Sequence, residues 1–227
     1  MKKPVCFEAF KDNGMKITCI SDLHGYYPKL GGGDLLIVAG DLTARDAPQE
    51  HLKFVEWLRK QSYTMKIFIA GNHDNALQKC AIHGTSGDSC FYLCDSGTEF
   101  EGLRIWGSPW TLTFERMNSR CKAFTVDLEE ELDIKFSLIP DDVDILITHS
   151  PAYGILDKTP NGCVGSLSLR KHLMRVKAAL HVFGHIHECG GTCVHLNDCI
   201  CVNASYVDEN YKPVNKPIDF GIMRQIT

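Results

Sequence analysis

The stretch that decides the fold is Ile67–Asp74, with the sequence Ile-Phe-Ile-Ala-Gly-Asn-His-Asp. An apolar run stops at a glycine, and three residues capable of metal or proton chemistry follow at once. Such a run is typical of a buried strand, so the polar residues would lie beyond its carboxyl end. Open α/β sheets bind their ligands at that edge, and we therefore expect a functional site there.

The same pattern, an apolar run followed by potential metal ligands, occurs four more times in the chain. The runs are Ile17–Ser21 before Asp22-Leu23-His24, Leu35–Ala39 before Gly40-Asp41, Ile145–Thr148 before His149, and His181–Phe183 before Gly184-His185-Ile186-His187. Because separate strands would each bring donor atoms to the same edge of a sheet, we expect these side chains to converge on one site.

Seven side chains at these strand ends offer carboxylate, amide oxygen or imidazole donors: Asp22, His24, Asp41, Asn72, His149, His185 and His187. This mixture suits Mn, Fe, Zn or Co rather than Ca alone. The set is too large for one tetrahedral ion, but it fits two ions that share a carboxylate. Two ions ~3.5–4 Å apart can hold a phosphate during an in-line displacement, and a water between them becomes a hydroxide nucleophile near neutral pH.

His73 and Asp74 complete the catalytic prediction. His73 adjoins Asn72, but its side chain should point elsewhere, so we assign it to proton transfer. Asp74 would hold the His73 ring in the right tautomer. We expect Asn72, His73 and Trp110 to contact the substrate. For Trp110, which follows Pro109 at a strand end, packing in the core is an equal alternative.

The motifs together resemble a known family. Asp22-Leu23-His24, Gly40-Asp41, Gly71-Asn72-His73-Asp74, Thr148-His149-Ser150-Pro151 and Gly184-His185-Ile186-His187, in this order, look like the five blocks of the calcineurin-like metallophosphoesterases. In the second half, the stretches 92–96, 102–111 and 180–188 resemble the metallophosphoesterase-domain-containing (MPPED) subgroup. Some members of that subgroup lack the first histidine of the last block, whereas this chain keeps His185.

The resemblance implies a role for each matching residue. Asp22, His24 and His187 would bind the first ion, Asn72, His149 and His185 the second, and Asp41 would bridge them, while His73 would protonate the leaving oxygen. It also implies a phosphodiesterase that acts on small phosphodiesters such as cyclic nucleotides. A phosphomonoesterase or protein phosphatase, and an attenuated nucleotide-binding regulatory module, are the alternatives.

The pattern of apolar residues predicts a single α/β domain over residues 1–227. Residues 34–71 read as a strand–helix–strand unit with a helix over 48–60, and such units are parallel and right-handed. Leu52, Val55 and Leu58, with Phe54 and Trp57 alongside, would form a wide apolar face of that helix, and Trp57 would pack in the core. Two mixed sheets packed face to face with flanking helices would make a four-layer α/β/β/α sandwich, which the resemblance also implies.

The start of the chain predicts a β-hairpin. Residues 4–11 and 15–21 alternate between apolar and polar side chains on either side of Asp12-Asn13-Gly14. Asn-Gly favours a tight hairpin turn because both positions accept a positive φ.

The composition of the chain indicates which binding partners and which cellular compartment to expect. The net charge is −4 and no run of Lys or Arg occurs, so nonspecific nucleic-acid binding is not expected. No apolar stretch approaches the ~20 residues that span a bilayer, and no secretory signal is evident. We therefore expect a cytoplasmic protein whose eleven cysteines are reduced. Four of them cluster at 189, 193, 199 and 201, where packing is the main expectation and structural zinc the alternative.

Overall fold

A computed structural model describes residues 7–9, 14–79, 84–86, 89–114, 118 and 120–222. Within them the strands are β1 Phe7–Ala9, β2 Met15–Ile20, β3 Gly33–Ala39, β4 Tyr63–Ile69, β5 Gly84–Ser86, β6 Cys90–Tyr92, β7 Ser96–Phe100, β8 Leu103–Ser108, β9 Thr111–Leu112, β10 Thr125–Val126, β11 Ile145–Thr148, β12 Lys158–Thr159, β13 Gly162–Cys163, β14 Leu180–Phe183, β15 Thr192–Leu196, β16 Cys199–Asn203 and β17 Ile218–Ile222. The helices are α1 Pro48–Lys60, α2 Asn75–Lys79, α3 Glu129–Ser137, α4 Leu167–Val176 and a 3-10 helix at His187–Cys189.

Two mixed sheets form the centre of the molecule, as the sequence predicted. The larger has the order β1-β17-β2-β3-β4-β6-β5, and the smaller has the order β15-β16-β14-β11-β8-β7. In the larger sheet β2, β3, β4 and β6 run parallel, and in the smaller sheet β16, β14, β11 and β8 run parallel. The carboxyl ends of these parallel strands carry the residues predicted to form the site.

Successive side chains along each strand alternate between two cores, one between the sheets and one beneath the helices. In β3, Leu35 and Ile37 belong to a core shared by both sheets, whereas Leu36 and Val38 pack with α1. In the smaller sheet, Leu146 packs with residues of α3 and α4. Because successive side chains of a strand point to opposite faces, each sheet contacts the other sheet on one face and helices on the other. The four-layer α/β/β/α prediction is confirmed.

Helix α1 spans the predicted residues and connects the parallel strands β3 and β4. Trp57 is buried, and its indole donates a hydrogen bond to the carbonyl of Pro28 at 2.7 Å. Leu52, however, is 70% exposed, so its place on the apolar face was predicted wrongly. The buried residues of the helix are Phe54, Trp57 and Leu58, which form a narrower face than expected.

The predicted amino-terminal hairpin is wrong in its pairing. β17 lies between β1 and β2 and is antiparallel to both. Residues 10–13, which include the Asn13 of the expected turn, lie outside the described residues. Five residues of β17 pair with β2, in the position that the prediction had assigned to the first strand of the hairpin.

The cysteine cluster divides between two faces of the smaller sheet. Cys199 and Cys201 are buried in the core beneath α3 and α4, as expected for packing, with their Sγ atoms 3.8 Å apart. Cys193 is exposed and pairs with Val202, whose side chain points to the opposite face. None of the described helices is long and apolar enough to cross a bilayer.

Candidate metal centre

The predicted ligands converge at the edge where the two sheets meet. Asp22 follows β2, Asp41 follows β3 and Asn72 follows β4, while His149 and His185 follow strands of the smaller sheet. Four of the ligands have a left-handed backbone: φ is 51° at Asp22, 41° at His24, 50° at Asp41 and 68° at His185. This conformation costs of order 1–3 kcal/mol per residue and occurs at functional sites. It turns the chain sharply, just beyond each strand.

One half of the cluster contains Asp22, His24 and His187. The Nε2 atom of His187 lies 3.3 Å from Asp22 Oδ1 and 3.3 Å from the Nε2 atom of His24. His24 Nε2 is also 3.6 Å from Asp41 Oδ2. One donor atom from each of Asp22, His24 and His187 lies within 4.8 Å of the others, which is close enough for a single ion to contact all three.

The other half contains Asn72, His149 and His185. His149 Nε2 lies 3.0 Å from Asn72 Oδ1 and 3.4 Å from Asp41 Oδ1. The His185 ring packs against the His149 ring with centroids 4.9 Å apart. Asp41 therefore contacts histidines of both halves through its two oxygens, as a bridging carboxylate would.

The hydrogen bonds within the cluster fit a cation. His149 Nδ1 lies 3.0 Å from the carbonyl of Ala39, and His187 Nδ1 lies 3.1 Å from that of Asp208. A carbonyl only accepts, so each Nδ1 must carry hydrogen, and in a neutral ring Nε2 then presents a lone pair. Those lone pairs face acceptor oxygens of Asn72, Asp41 and Asp22. Acceptors that face acceptors at these distances require a proton or a cation between them.

The ionisation of the cluster also suits a metal. Burial alone would raise the pKa of Asp22 and of Asp41, but hydrogen bonds and charge from the adjacent histidines hold both values below the usual range. Burial lowers the pKa of His24 to about 4. For His149, burial favours the neutral ring, but the charge of Asp41 raises the pKa to about 9. The cluster thus combines ionised carboxylates with a strong attraction for positive charge.

Glycines permit the close approach of the strands. A Cβ atom on Gly71 would overlap Asp41 Oδ1 and lie 2.6 Å from His149 Cε1. One on Gly184 would overlap Asp22 Oδ2 and the Oγ atom of Ser21. Gly71 and Gly184, which precede Asn72 and His185, are therefore required for space.

His73 occupies the predicted position but has a different supporting partner. Its Nε2 lies 3.9 Å from Asp41 Oδ2, and its Nδ1 lies 3.2 Å from the carbonyl of Ala44. Asp74 instead accepts backbone N–H groups of Leu42, at 3.1 Å, and of Gly71, at 2.8 Å. Asp74 therefore does not hold the His73 ring as predicted. The Asp74 carboxylate points toward the backbone of residues 42 and 71 instead.

Comparison with known proteins agrees with this geometry. The family model for calcineurin-like phosphoesterases matches residues 15–189. The chain belongs to the calcineurin-like phosphoesterase family. Metallophosphoesterase domain-containing protein 1 of human and of mouse is 37% identical over 250 residues, covering 96% of this chain and 74% of each relative. The solved structure of phosphopantetheinyl hydrolase from Mycobacterium tuberculosis has a TM-score of 0.57 at 16% identity, covering 95% of this chain and 98% of that one, and shares the fold.

Family membership makes the chain a hydrolase of phosphate esters that uses divalent metal ions, and the clustered residues fit that requirement. The described residues also show a contact to the predicted ligand Asp22 that the sequence did not reveal. Ser205 is buried, and its Oγ donates to Asp22 Oδ2 at 2.7 Å. No motif marks Ser205, because it reaches Asp22 only through the packing of the two sheets.

The ligand cluster opens into a cleft, and Trp110 is not among the described residues that line it. Its Nε1 donates to Asp95 Oδ2 at 2.7 Å, and its ring packs edge-on against Phe124 with centroids 5.6 Å apart. Lys135 Nζ lies 3.8 Å from the ring centroid on the other side. The core-packing alternative describes Trp110 correctly, because its only polar atom is already bonded away from the cleft.

The ligand cluster opens into a cleft of about 830 Å³. Among the described residues that line it are the carboxylates Asp41, Glu188 and Glu209, and none of these described lining residues is a lysine or an arginine. Phe114 and Tyr211 line the cleft and are 54% and 49% exposed. The sequence analysis missed both aromatic residues, since neither adjoins a motif of the phosphoesterase family.

Proposed function

We propose that this chain is a two-metal phosphodiesterase that acts on small phosphodiesters such as cyclic nucleotides. The observation that supports it most directly is the pair of half-sites joined by Asp41, in which histidine Nε2 atoms face acceptor oxygens. In this proposal Asp22, His24 and His187 would hold one ion, Asn72, His149 and His185 would hold the other, and Asp41 would serve both. We expect the ions to be Mn, Fe or Zn, which suit this donor set.

Two divalent cations bound there would supply Lewis acidity toward a phosphate ester and toward water. The protein contributes the position of every donor. Asn72 donates from Nδ2 to the carbonyl of Cys121 at 3.1 Å, which turns its Oδ1 toward His149 and the site. The buried carboxylates of Asp22 and Asp41 offset part of the charge of the cations, so the site stays attractive to an anionic ester.

His73 is the proposed general acid. Its ring lies at the cleft, and the carbonyl of Ala44 accepts the proton on Nδ1, so a protonated ring would present Nε2–H toward the site. Donation of that proton to the leaving oxygen would avoid the release of an unstable alkoxide, an effect worth ~10²–10⁴-fold in rate. His24 lies beside it, with ring centroids 4.6 Å apart.

The charge of the cleft favours diesters over monoesters. A phosphodiester carries one negative charge, whereas a monoester carries up to two near neutral pH. Glu188 and Glu209 line the cleft. In this proposal the two carboxylates would repel the additional charge of a monoester, which supports the preference for diesters.

The test begins with protein freed of metal by a chelator and then reloaded with Mn, Fe or Zn. We expect two ions per chain and a higher kcat/KM for bis-p-nitrophenyl phosphate than for p-nitrophenyl phosphate, followed by activity on cyclic nucleotides. Faster hydrolysis of the monoester would contradict the diesterase preference. Two bound ions without hydrolysis of either substrate would instead identify a binding module.

The proposal extends to domain organisation and location. We treat residues 1–227 as one domain, supported by a core that both sheets share and by site residues that come from both. A cytoplasmic location is supported by the cysteines, since those that the structure describes are free thiols.

A further inference from the structure

An exposed aromatic ring stands beside each half of the ligand cluster. The Tyr211 ring centroid lies 4.8 Å from that of His24 and 5.2 Å from that of His187. The Phe114 centroid lies 6.1 Å from that of His185, in the other half. Ligand pockets are commonly lined by aromatic side chains beside a few polar groups, so rings that line the cleft next to the predicted metal ligands are available to contact a ligand.

The position of Tyr211 is fixed by the same group that orients a metal ligand. The carbonyl of Asp208 accepts from Tyr211 N–H at 2.8 Å and from His187 Nδ1 at 3.1 Å. The Asp208 side chain also accepts backbone N–H groups of Asn210 and Lys212, at 2.9 and 2.8 Å. Tyr211 itself has a φ of 59°, a left-handed conformation that is costly for a tyrosine. The turn therefore fixes the backbone of Tyr211 next to His187, and the ring contacts of Tyr211 with His24 and His187 follow from that position.

Tyr211 lies on the side of the proposed general acid. Its ring centroid is 6.2 Å from that of His73, and His24 lies between them in contact with both rings. Proton transfer requires the leaving oxygen to be within hydrogen-bond reach of His73. The organic group on that oxygen then lies beside Tyr211. His185 and Phe114 lie in the other half of the cluster, so the group on the other ester oxygen would extend toward them.

We infer that Tyr211 forms the subsite for the leaving group and Phe114 the subsite for the retained group, so that among acyclic phosphodiesters the preferred substrate has flat or apolar groups on both sides. This inference rests on the proposed function and deepens it. Each ring would cover one face of its substituent and remove apolar surface from water. Removal of one ring therefore affects only the substituent that it contacts.

Two model substrates separate the subsites. Bis-p-nitrophenyl phosphate and methyl p-nitrophenyl phosphate release the same p-nitrophenolate, but the retained group is aryl in the first and methyl in the second. We expect Tyr211→Ala to lower kcat/KM for both substrates by the same factor, about 10-fold. Phe114→Ala should lower kcat/KM for the bis substrate about 10-fold more than for the methyl substrate.

Binding and metal content provide readouts besides turnover. The product p-nitrophenyl phosphate keeps the retained group, so calorimetry should show a larger loss of its affinity in Phe114→Ala than in Tyr211→Ala. Both variants should still hold two ions per chain. Tyr153→Ala is the matched control, because Tyr153 is 44% exposed and lies outside the described lining of the cleft.

The possible outcomes are distinct. The subsite assignment would be overturned if Phe114→Ala lowered kcat/KM equally for the two substrates, or if Tyr211→Ala rather than Phe114→Ala distinguished them. The diesterase proposal would remain intact in either case, because the wild-type protein would still be active. Loss of metal in Tyr211→Ala would also overturn it, since the ring would then support His187 rather than the substrate. A metal-loaded wild-type protein that hydrolyses neither diester would remove the proposed function and this inference together.

Discussion

The predicted metal ligands, which we call the floor, and the cleft residues Phe114 and Tyr211, which we call the rim, reverse the usual distribution of polar and apolar residues. On the floor, Asp22 and His149 are 0% exposed and Asp41 is 2% exposed, although charged groups are seldom fully buried. At the rim, Phe114 and Tyr211 are about half exposed, although aromatic rings usually pack inside. Buried charge is tolerated only where it is paired or coordinates a metal, so the floor is built for cations. The exposed rings are available to contact a substrate.

The two regions also differ in how their side chains are held. On the floor, His149 and His187 each bond a backbone carbonyl, and Asp22 accepts from Ser205 and from the N–H of His185. At the rim, Phe114 and Tyr211 extend from connecting segments outside the named strands and helices. The floor should therefore control whether the reaction occurs, and the rim should control which ester is accepted. The predictions below test this difference from the largest effect to the smallest.

Asp41→Asn should have the largest effect. It removes the charge that faces His24 and His149 across the two half-sites. Because two dications then share one buried carboxylate fewer, we expect fewer than two bound ions and loss of turnover. Metal analysis and bis-p-nitrophenyl phosphate hydrolysis measure both. Glu56→Gln is the control, an exposed carboxylate paired with Lys60 on α1. Retention of two ions and of activity in Asp41→Asn would rule out the bridging role.

His73→Ala should come next, with a loss of turnover that depends on the leaving group. Without the acid, hydrolysis of an alkyl ester should fall by about 10²–10⁴-fold, whereas a p-nitrophenyl ester, which leaves without a proton, should fall much less. Both ions should remain bound. Equal losses on the two esters, or the loss of an ion, would assign His73 to the metal site, since its ring atoms lie within 4.8 Å of donor atoms of His24 and Asp41.

Ser205→Ala should have an intermediate effect on the floor. It removes the hydroxyl that donates to Asp22 Oδ2, and such outer contacts change metal affinity by about 10–100-fold. Titration with Zn²⁺ or Mn²⁺ in the presence of a competing chelator would measure the change. Ser137→Ala is the matched control, because that hydroxyl bonds a carbonyl of its own exposed helix end. Equal affinities in the two variants would show that Ser205 does not tune the site.

Trp110→Phe should have the smallest effect on activity. It removes the hydrogen bond to Asp95 and should lower the free energy of unfolding by about 1 kcal/mol, as measured by urea denaturation. KM for a diester should not change, because Trp110 does not line the cleft. A clear rise in KM would instead support substrate contact by Trp110, which was the alternative to core packing in the sequence-based prediction.

Much of the floor could be predicted from the chain alone. Parallel strands share a carboxyl edge, so Asp22, Asp41 and Asn72 had to lie near one another once their strands were recognised. The partner of Asp74 could not be predicted in this way, because it depends on how the turn after β4 folds back on residues 42 and 43. The same limit applies to β17, whose insertion between β1 and β2 joins residues about 200 positions apart.

The sequence by itself determined the strands, their polar ends and the chemistry that those ends offer, because hydrophobic periodicity and motif spacing are local properties. Only the tertiary structure decided which side chains face each other across the two sheets. It joined Ser205 to Asp22 and placed Tyr211 over His24, although no local pattern connects either pair. Such contacts depend on how segments distant in sequence pack together. The free energy of that packing depends on all of these segments at once, so no single segment of the sequence predicts it.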